Sequence, residues 1–166
     1  MSSICYIGLG SNQADPIGQV LKACEALGQV PRTRLARRSS LYRSAPLGPQ
    51  DQPPYINAVA ELDTELTPLE LLDQLQRIEL DQGRERKAER WGPRTLDLDM
   101  LLFGEQVIDS PRLQVPHYHM QARAFVLYPL AELAADLALP DGTRLSQLLD
   151  TCPADGLERL DATAQG

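Results

Sequence analysis

The sequence predicts an α+β fold, in which strands and helices interleave along a single domain of residues 1–166. Three observations support this class. Short β-favouring runs alternate with helical segments, the two clearest helices begin at proline-containing caps, and no repeat, low-complexity segment or long linker divides the 166 residues. The elements follow the order β-α-β-β-α-β. This order predicts a ferredoxin-like sandwich, a mostly antiparallel sheet with helices packed on it.

The first half of the chain carries the first βαβ unit. Ile4 to Ile7 is a short β-favouring run, and Asp15-Pro16 supplies an N-cap with a first-turn proline. The helix that follows ends at Gly28. We expect a second strand over Leu35 to Tyr42. The segment from Ser44 to Pro54 holds four prolines and a glycine, which predicts a long loop of the kind that often carries function.

The second half begins with a strand of alternating apolar residues from Ile56 to Leu62. Thr67-Pro68-Leu69-Glu70 is a capping box with proline at the first helical position, and Gly83 ends the helix that it starts. A further strand is expected over Leu96 to Phe103. The apolar spacing of the strand positions places alternate residues on opposite faces of the sheet.

The last part of the chain is expected to be mainly helical. The apolar pattern from Phe125 to Leu133 predicts a helix that is interrupted by, or begins at, Pro129. Pro140-Asp141-Gly142 predicts a turn, and Leu145 to Leu149 a short final helix.

Charge and composition exclude several classes of function. The net charge of −7 disfavours generic binding to nucleic acid or to anionic membranes. The chain has no apolar run long enough for a membrane span and no signal-peptide pattern, so we expect a cytoplasmic protein. Three widely spaced cysteines argue against a disulfide framework or a cysteine-ligated zinc site. The segment Arg84–Arg94 has five basic and two acidic side chains, and this positive island suggests a small, highly charged anion as partner.

Leu96-Asp97-Leu98-Asp99-Met100 is the most informative stretch for chemistry. On a strand, Asp97 and Asp99 share one face with their Cα atoms roughly 7 Å apart, while the apolar residues face the core. Two carboxylates at this spacing can ligate one or two hard cations, although solvated acids on an exposed strand show the same pattern. Because the basic island lies next to them, the pair and the arginines together indicate a phosphoryl-transfer site.

Other features are less specific. Gly8-Leu9-Gly10-Ser11-Asn12 lacks a full nucleotide-binding glycine motif, so a tight turn is the simpler interpretation. His117 and His119 form a pair that could ligate a metal, contact a nucleotide or lie on the surface. Trp91 lies in the charged segment, where an aromatic residue more often covers a ligand than builds a core.

Four blocks of the sequence lie at Tyr6–Asn12, Ser40–Asn57, Arg90–Leu101 and Val115–Phe125. In this order they resemble the 6-hydroxymethyl-7,8-dihydropterin pyrophosphokinase family of folate biosynthesis. The most specific block is Arg90–Leu101. The others are Tyr6–Asn12, Ser40–Gly48 with Gln52 and Tyr55–Asn57, and Val115–Tyr118 with Arg123 and Phe125. Ser44-Ala45 and His119 depart from the family pattern. The blocks cover about three quarters of the chain, and the resemblance implies the same α+β sandwich.

The resemblance also implies a reaction and a set of roles. The β,γ-diphosphate of MgATP would pass to the 6-hydroxymethyl oxygen of the dihydropterin and release AMP. Asp97 and Asp99 would bind two Mg²⁺ ions, and Arg84 and Arg94 would hold the phosphates as further catalytic residues. Pterin contacts would come from Ser44, Leu47, Tyr55, Asn57 and Phe125. ATP contacts would come from Gln76, Glu79, Arg86, Lys87, Trp91, Arg112, His117, Tyr118 and Arg123. No general base is evident, so either a metal-bound environment would lower the pKa of the hydroxyl or solvent would take its proton.

Two alternatives remain open on the residues alone. The carboxylate pair could serve another two-metal enzyme, such as a nuclease or nucleotidyltransferase, although the net charge disfavours a polynucleotide substrate. A ferredoxin-like sensor or interaction domain is the second alternative, and it would leave Asp97 and Asp99 without a role. A monomer that binds only small-molecule substrates is the default expectation.

Overall fold

The computed structural model describes residues 2–11, 16–44, 55–81, 96–116, 124–152 and 157–160. Within these ranges the chain forms eight strands and four helices. The strands are β1 (Ser3–Ser11), β2 (Thr33–Arg38), β3 (Tyr42–Ser44), β4 (Tyr55–Thr64), β5 (Asp97–Phe103), β6 (Ile108–Asp109), β7 (Gln114–Val115) and β8 (Leu157–Arg159). The helices are α1 (Pro16–Leu27), α2 (Pro68–Asp81), α3 (Ala124–Leu133) and α4 (Leu145–Thr151).

The main sheet is antiparallel in every pairing and has the order β5-β1-β4-β3-β8, with β2 also paired to β4. β1 is therefore central, between β5 and β4. This order, with α1 and α2 as the two crossovers, confirms the predicted ferredoxin-like βαββαβ sandwich. A separate small hairpin joins β6 to β7.

The sheet buries a hydrophobic cluster on each face. The inner face carries α1 and α2, and its core includes Ile7, Leu75 and Leu98. The outer face carries α3 and α4, and its core includes Leu101 and Leu127. Leu98 and Leu101 are both on β5 but on opposite faces, as the alternation of strand side chains requires. No helix among the described residues is long and apolar enough to cross a membrane.

Helix α2 begins as its capping box predicts. The backbone N–H of Glu70 donates to Thr67 Oγ1 at 3.2 Å, and the backbone N–H of Thr67 donates to Glu70 Oε1 at 2.9 Å. These bonds lower the pKa of the Glu70 carboxyl below its usual value. The turn at residues 140–142 is also confirmed, since Gly142 has a φ of +92° and its N–H donates to the carbonyl of Leu139.

Three expectations for the secondary structure were wrong. Gly8 to Ser11 do not form the tight turn that was expected there but continue strand β1, because they pair with strands on both sides. The single strand expected over Leu35 to Tyr42 is two strands, β2 and β3, which both pair with β4. Ser39 lies between the two strands and bonds to β4 through its side chain, since its Oγ accepts the backbone N–H of Val59 at 2.9 Å. Helix α3 neither begins nor breaks at Pro129 but contains it. A proline removes one helical hydrogen bond, and here burial of the surrounding apolar residues outweighs that loss.

The cysteines give a direct test of the packing. Burial, with a smaller contribution from Asp63, raises the pKa of the Cys5 thiol to about 12. Burial likewise raises the pKa of Cys24 to about 11, whereas Cys152 is partly exposed. We expect a thiol reagent at neutral pH to label Cys152 first and the other two only after unfolding. Because the unfolded thiols ionise near pH 9, the free energy of unfolding should fall as the pH rises above that value.

Mass spectrometry of the labelled protein identifies which cysteine has reacted, and C152S is the matched control that should abolish the fast phase. Equally fast labelling of Cys5 in the folded protein would contradict the position of β1 at the centre of the sheet.

Candidate active site

The candidate site lies at one end of the outer sheet face. Asp97 begins β5, Gly10 is near the end of β1 and Asn57 is near the start of β4. The register places these three in one row across the sheet, because Gly10 pairs with Asp97 on one side and Asn57 on the other. The next row has Asp99 paired with Gly8. With strands about 4.8 Å apart, the Cα atoms of Asp97 and Asn57 are about 10 Å apart.

The two carboxylates have the orientation that the sequence predicts. Leu98 and Met100 point into the inner core, so Asp97 and Asp99 belong to the outer face. Asp97 is half-buried and Asp99 is exposed. Their oxygen atoms are the type of ligand that Mg²⁺ prefers, and an incomplete protein shell suits an ion that also binds phosphates and water. The pair therefore fits a magnesium site, with no further His, Cys, Asp or Glu cluster among the described residues.

Glycines occupy the central strand between the carboxylates and Asn57. A Cβ atom on Gly10 would lie 3.1 Å from Asn57 Oδ1, which is closer than ordinary packing allows. A Cβ atom on Gly8 would lie 3.4 Å from the nearest side-chain methyl of Leu101. Because neither glycine has a side chain, the face stays open from the carboxylate pair to Asn57.

Asn57 and Ser44 form a buried polar pair beside this opening. Asn57 is 4% exposed and Ser44 is 8% exposed. Asn57 Nδ2 donates to Ser44 Oγ at 2.9 Å, which fixes the plane of the amide. Tyr55 pairs with Ser44 across β3 and β4, and Phe125 is the second residue of α3. Both aromatic residues are half-buried. Leu47, the remaining residue expected to contact the pterin, lies outside the described residues.

Glu79 was expected to line the nucleotide side, and that role stays a prediction. Glu79 is 6% exposed, and its Oε2 atom accepts the backbone N–H of Leu98 at 2.8 Å. Because β5 is an edge strand, this N–H points away from β1 and needs an acceptor outside the sheet. The described contact makes Glu79 a buried anchor for the strand that carries Asp97 and Asp99.

A cavity of about 290 Å³ opens along β5, on the side of Asp99 away from Gly8. Its walls combine apolar side chains with a single arginine, Arg112. The lining residues are Leu72, Leu98, Asp99, Met100, Ser110, Pro111, Arg112, Leu113 and Gln114. The hairpin of β6 and β7 forms one side of it, and the sequence analysis did not identify this hairpin.

Arg112 is held at the cavity by helix α2. Arg112 Nη2 donates to Asp73 Oδ1 at 2.7 Å and to Gln76 Oε1 at 3.3 Å. The structure thus brings together Gln76 and Arg112, and their role in binding ATP stays a prediction. Asp73 was missed, although its spacing of three positions from Gln76 places both on one face of the helix.

The other expected site residues lie outside the described residues. They are Arg84, Arg86, Lys87, Trp91, Arg94, His117, Tyr118 and Arg123, and His119 is also outside.

Comparison with known proteins places this chain in a family. Residues 6–135 match the family model for 7,8-dihydro-6-hydroxymethylpterin-pyrophosphokinase. A 2-amino-4-hydroxy-6-hydroxymethyldihydropteridine pyrophosphokinase of Pseudomonas aeruginosa is 64% identical over 93% of this chain and 95% of its own length. The Haemophilus influenzae protein of the same name is 54% identical over 87% of this chain and 89% of its length.

Solved structures agree on the fold. Plasmodium falciparum HPPK-DHPS, crystallised in the wild-type form with pteroate, has a TM-score of 0.72 at 13% identity over 91% of this chain. An HPPK-DHPS in complex with substrates has a TM-score of 0.69 at 11% identity over 90% of this chain. The chain spans less than half of each of these longer proteins, 42% and 45%.

The α+β sandwich and the matched relatives together define the class of protein, an enzyme that transfers a diphosphate group. More particularly, the chain belongs to the 7,8-dihydro-6-hydroxymethylpterin-pyrophosphokinase family. The resemblance expected from the sequence is confirmed, and so is a pyrophosphokinase activity in folate biosynthesis. The nuclease and the non-catalytic sensor are no longer viable alternatives.

The close approach of Gly10 to Asn57 generates a prediction. G10A should push the Asn57 amide out of plane and weaken its bond to Ser44, so binding of the pterin substrate should weaken by about 1 kcal/mol, the usual net contribution of one hydrogen bond. G8A is the matched control, because its methyl group meets the flexible side chain of Leu101 at an ordinary distance. Titration with the fluorescent pterin measures both. Equal weakening by the two variants would contradict a specific role for Gly10.

Proposed function

We propose that the open end of the outer face transfers the β,γ-diphosphate of MgATP to the 6-hydroxymethyl oxygen of 6-hydroxymethyl-7,8-dihydropterin, releasing AMP. The observation that supports this assignment most strongly is the row Asp97–Gly10–Asn57. It joins a site for metal-bound phosphates to a site for a flat polar ring across one strand that has no side chain to separate them.

The pterin half is proposed for Asn57, Ser44, Tyr55 and Phe125, together with Leu47. A flat, amide-rich ring is held best between two aromatic faces with hydrogen bonds in its plane. Asn57 is fixed by Ser44 at 2.9 Å, so its remaining amide positions can read the ring edge without a loss of rotamer freedom on binding. Tyr55 and Phe125 supply the two faces from β4 and α3.

The phosphate half is proposed for Asp97 and Asp99 with two Mg²⁺ ions. When bound, the ions would neutralise the phosphates and orient the attacking hydroxyl. Glu79 acts at the edge of the sheet, where it accepts the N–H of Leu98. Leu98 lies between the two aspartates along the chain. Glu79 therefore holds both carboxylates at a constant spacing on the strand, and preorganised groups lower the cost of reaching the transition state.

The nucleoside is proposed to occupy the cavity along β5. Its volume of about 290 Å³ is at the lower end of the usual range for small-molecule sites. Leu72 and Met100 offer apolar contact to a base, and Arg112 lies at the cavity with Gln76. His117, Tyr118 and Arg123 are proposed to complete this side. Arg84, Arg86, Lys87, Trp91 and Arg94 are proposed to hold the phosphates.

These positions explain how the chain promotes the reaction by placement. A nucleoside in the cavity along β5 directs its phosphates over Asp99 and Asp97, while a ring at Asn57 directs its hydroxymethyl group over Gly10. Holding two reactants in attacking geometry converts a bimolecular step into one within a complex, which is a large part of phosphoryl-transfer catalysis. ATP as a substrate agrees with the cytoplasmic location expected from the sequence, and a monomer remains the expected state.

The carboxylates give the first test of this proposal. D97N and D99N keep the size of each side chain but remove a hard anionic ligand, so folding should barely change. Turnover should fall by orders of magnitude, because each metal contributes several kcal/mol of charge stabilisation. E105Q is the matched control, since Glu105 is exposed just beyond the other end of β5. Near-normal turnover of either aspartate variant at saturating Mg²⁺ would contradict the assignment.

The reaction products give the second test. With γ-labelled ATP, we expect AMP to accumulate in equal amount with a labelled pterin diphosphate, and only when pterin and Mg²⁺ are both present. The reason is that attack at the β-phosphorus leaves the β,γ unit on the pterin. Chromatography of the nucleotides resolves AMP from ADP, and stoichiometric ADP would overturn the proposed transfer.

A further inference from the structure

Glu132 is an acidic residue at an unfavourable position in helix α3. It is the penultimate residue of the helix, where the helix dipole disfavours a carboxylate. The last turn carries no basic residue to offset it. Contacts from outside the helix would offset this unfavourable interaction with the dipole.

Those contacts come from the segment that leads into β3. The backbone N–H of Ser40 lies 3.0 Å from Glu132 Oε1 and 2.9 Å from Oε2, and Ser40 Oγ donates to Oε2 at 2.9 Å. The hydroxyl of Tyr42 donates to Oε1 at 2.8 Å. Arg159 of β8 adds an ion pair at 3.6 Å and a bond from its Nε to Ser40 Oγ at 3.2 Å.

The partners of Glu132 require a hydrogen-bond acceptor at this position. Tyr42 is 7% exposed, so its hydroxyl needs a partner within the protein. Burial, followed by the hydrogen bond and charge of Glu132, raises the pKa of Tyr42 above its usual value, which keeps the hydroxyl protonated as a donor. An amide in place of the carboxylate could not accept from all these donors at once.

These contacts tie together the two elements that bear the proposed pterin contacts. Phe125 and Glu132 are on α3, separated by seven residues, or roughly 10 Å of helix. Tyr42 and Ser44 are at the two ends of β3, and they pair with Asn57 and Tyr55 of β4. The bond from Tyr42 to Glu132 thus joins the strand that fixes the Asn57 amide to the helix that carries Phe125.

We propose that Glu132 is a positioning residue for the pterin substrate, which sets the distance between the Phe125 ring and the polar edge formed by Asn57 and Ser44. This inference rests on the proposed function, because it assumes that Phe125 and Asn57 contact the pterin. In this inference, the last turn of α3 controls the distance between the Phe125 ring and the polar edge, although neither Glu132 nor Tyr42 contacts the pterin.

The first experiment compares two tethers of the same helix. E132Q should raise the dissociation constant of the pterin about tenfold, equivalent to about 1.4 kcal/mol, while the KM for ATP changes by less than about twofold. Y128F is the matched control, because the hydroxyl of Tyr128 ties α3 to the carbonyl of Cys152, just after α4, at 2.8 Å and makes no described bond to β3. It should lower thermal stability and leave pterin affinity unchanged.

The second experiment tests whether the effect acts through the ring. In an F125A background, E132Q should cause little further loss of pterin affinity, because no ring remains to be misplaced. Y42F, which removes one contact of Glu132 and keeps the packing of the ring, should act in the same direction as E132Q with a smaller effect. It also serves as the test if E132Q does not fold.

The outcomes separate this inference from the proposed function. Weaker binding of the pterin alone, lost in the F125A background, supports a positioning role. Equal weakening of pterin and ATP, or a loss of stability with unchanged pterin affinity, would show a purely structural role and overturn it. If the unaltered protein neither binds nor diphosphorylates the pterin, the proposed function itself fails.

Discussion

The site depends on an absence of side chains at the centre of the sheet. β1 is the central strand, and Gly10 is flanked by Asp97 on β5 and Asn57 on β4. Any larger residue at Gly10 would meet the Asn57 amide at 3.1 Å from its first carbon atom. Because Gly8 and Gly10 have no side chains, the central strand leaves an open path between two polar groups that would otherwise be separated.

Acidic side chains have two different roles around this path. Asp97 and Asp99 are on the open face, where a cation and phosphates can reach them. Glu79 and Glu132 instead accept backbone N–H groups, at Leu98 and at Ser40, and each fixes an element that bears site residues. A buried carboxylate is costly without hydrogen bonds, so the bond from the Leu98 N–H also explains why the charge of Glu79 is tolerated in the interior.

The sequence predicted the parts of the fold that depend on local patterns. The capping box at Thr67, the alternation through Asp97 and Asp99, and the turn at Gly142 all act within a few residues, and each formed as expected. The resemblance to a known family supplied the order of the blocks and the roles of residues such as Asn57. Composition alone could not have assigned those roles.

The remaining features depend on contacts between distant segments. The break between β2 and β3 follows from Ser39, whose hydroxyl accepts from β4. The anchor role of Glu79 follows from β5 being an edge strand, which no periodicity reveals. Asp73 matters only because the hairpin of β6 and β7 brings Arg112 to α2. Such contacts join positions tens of residues apart, so a local pattern carries no information about them.

In the proposed site, the phosphate half and the pterin half lie side by side across β1. Mn²⁺ in place of Mg²⁺, with a non-hydrolysable ATP analogue, would relax nearby protons of a bound pterin in an NMR experiment. The row Asp97–Gly10–Asn57 predicts strong relaxation of the hydroxymethyl protons, at a distance of about 10 Å or less from the metal. In D97N/D99N protein this effect should disappear. Relaxation no stronger than that caused by free Mn²⁺ in solution, with both ligands bound, would contradict the account.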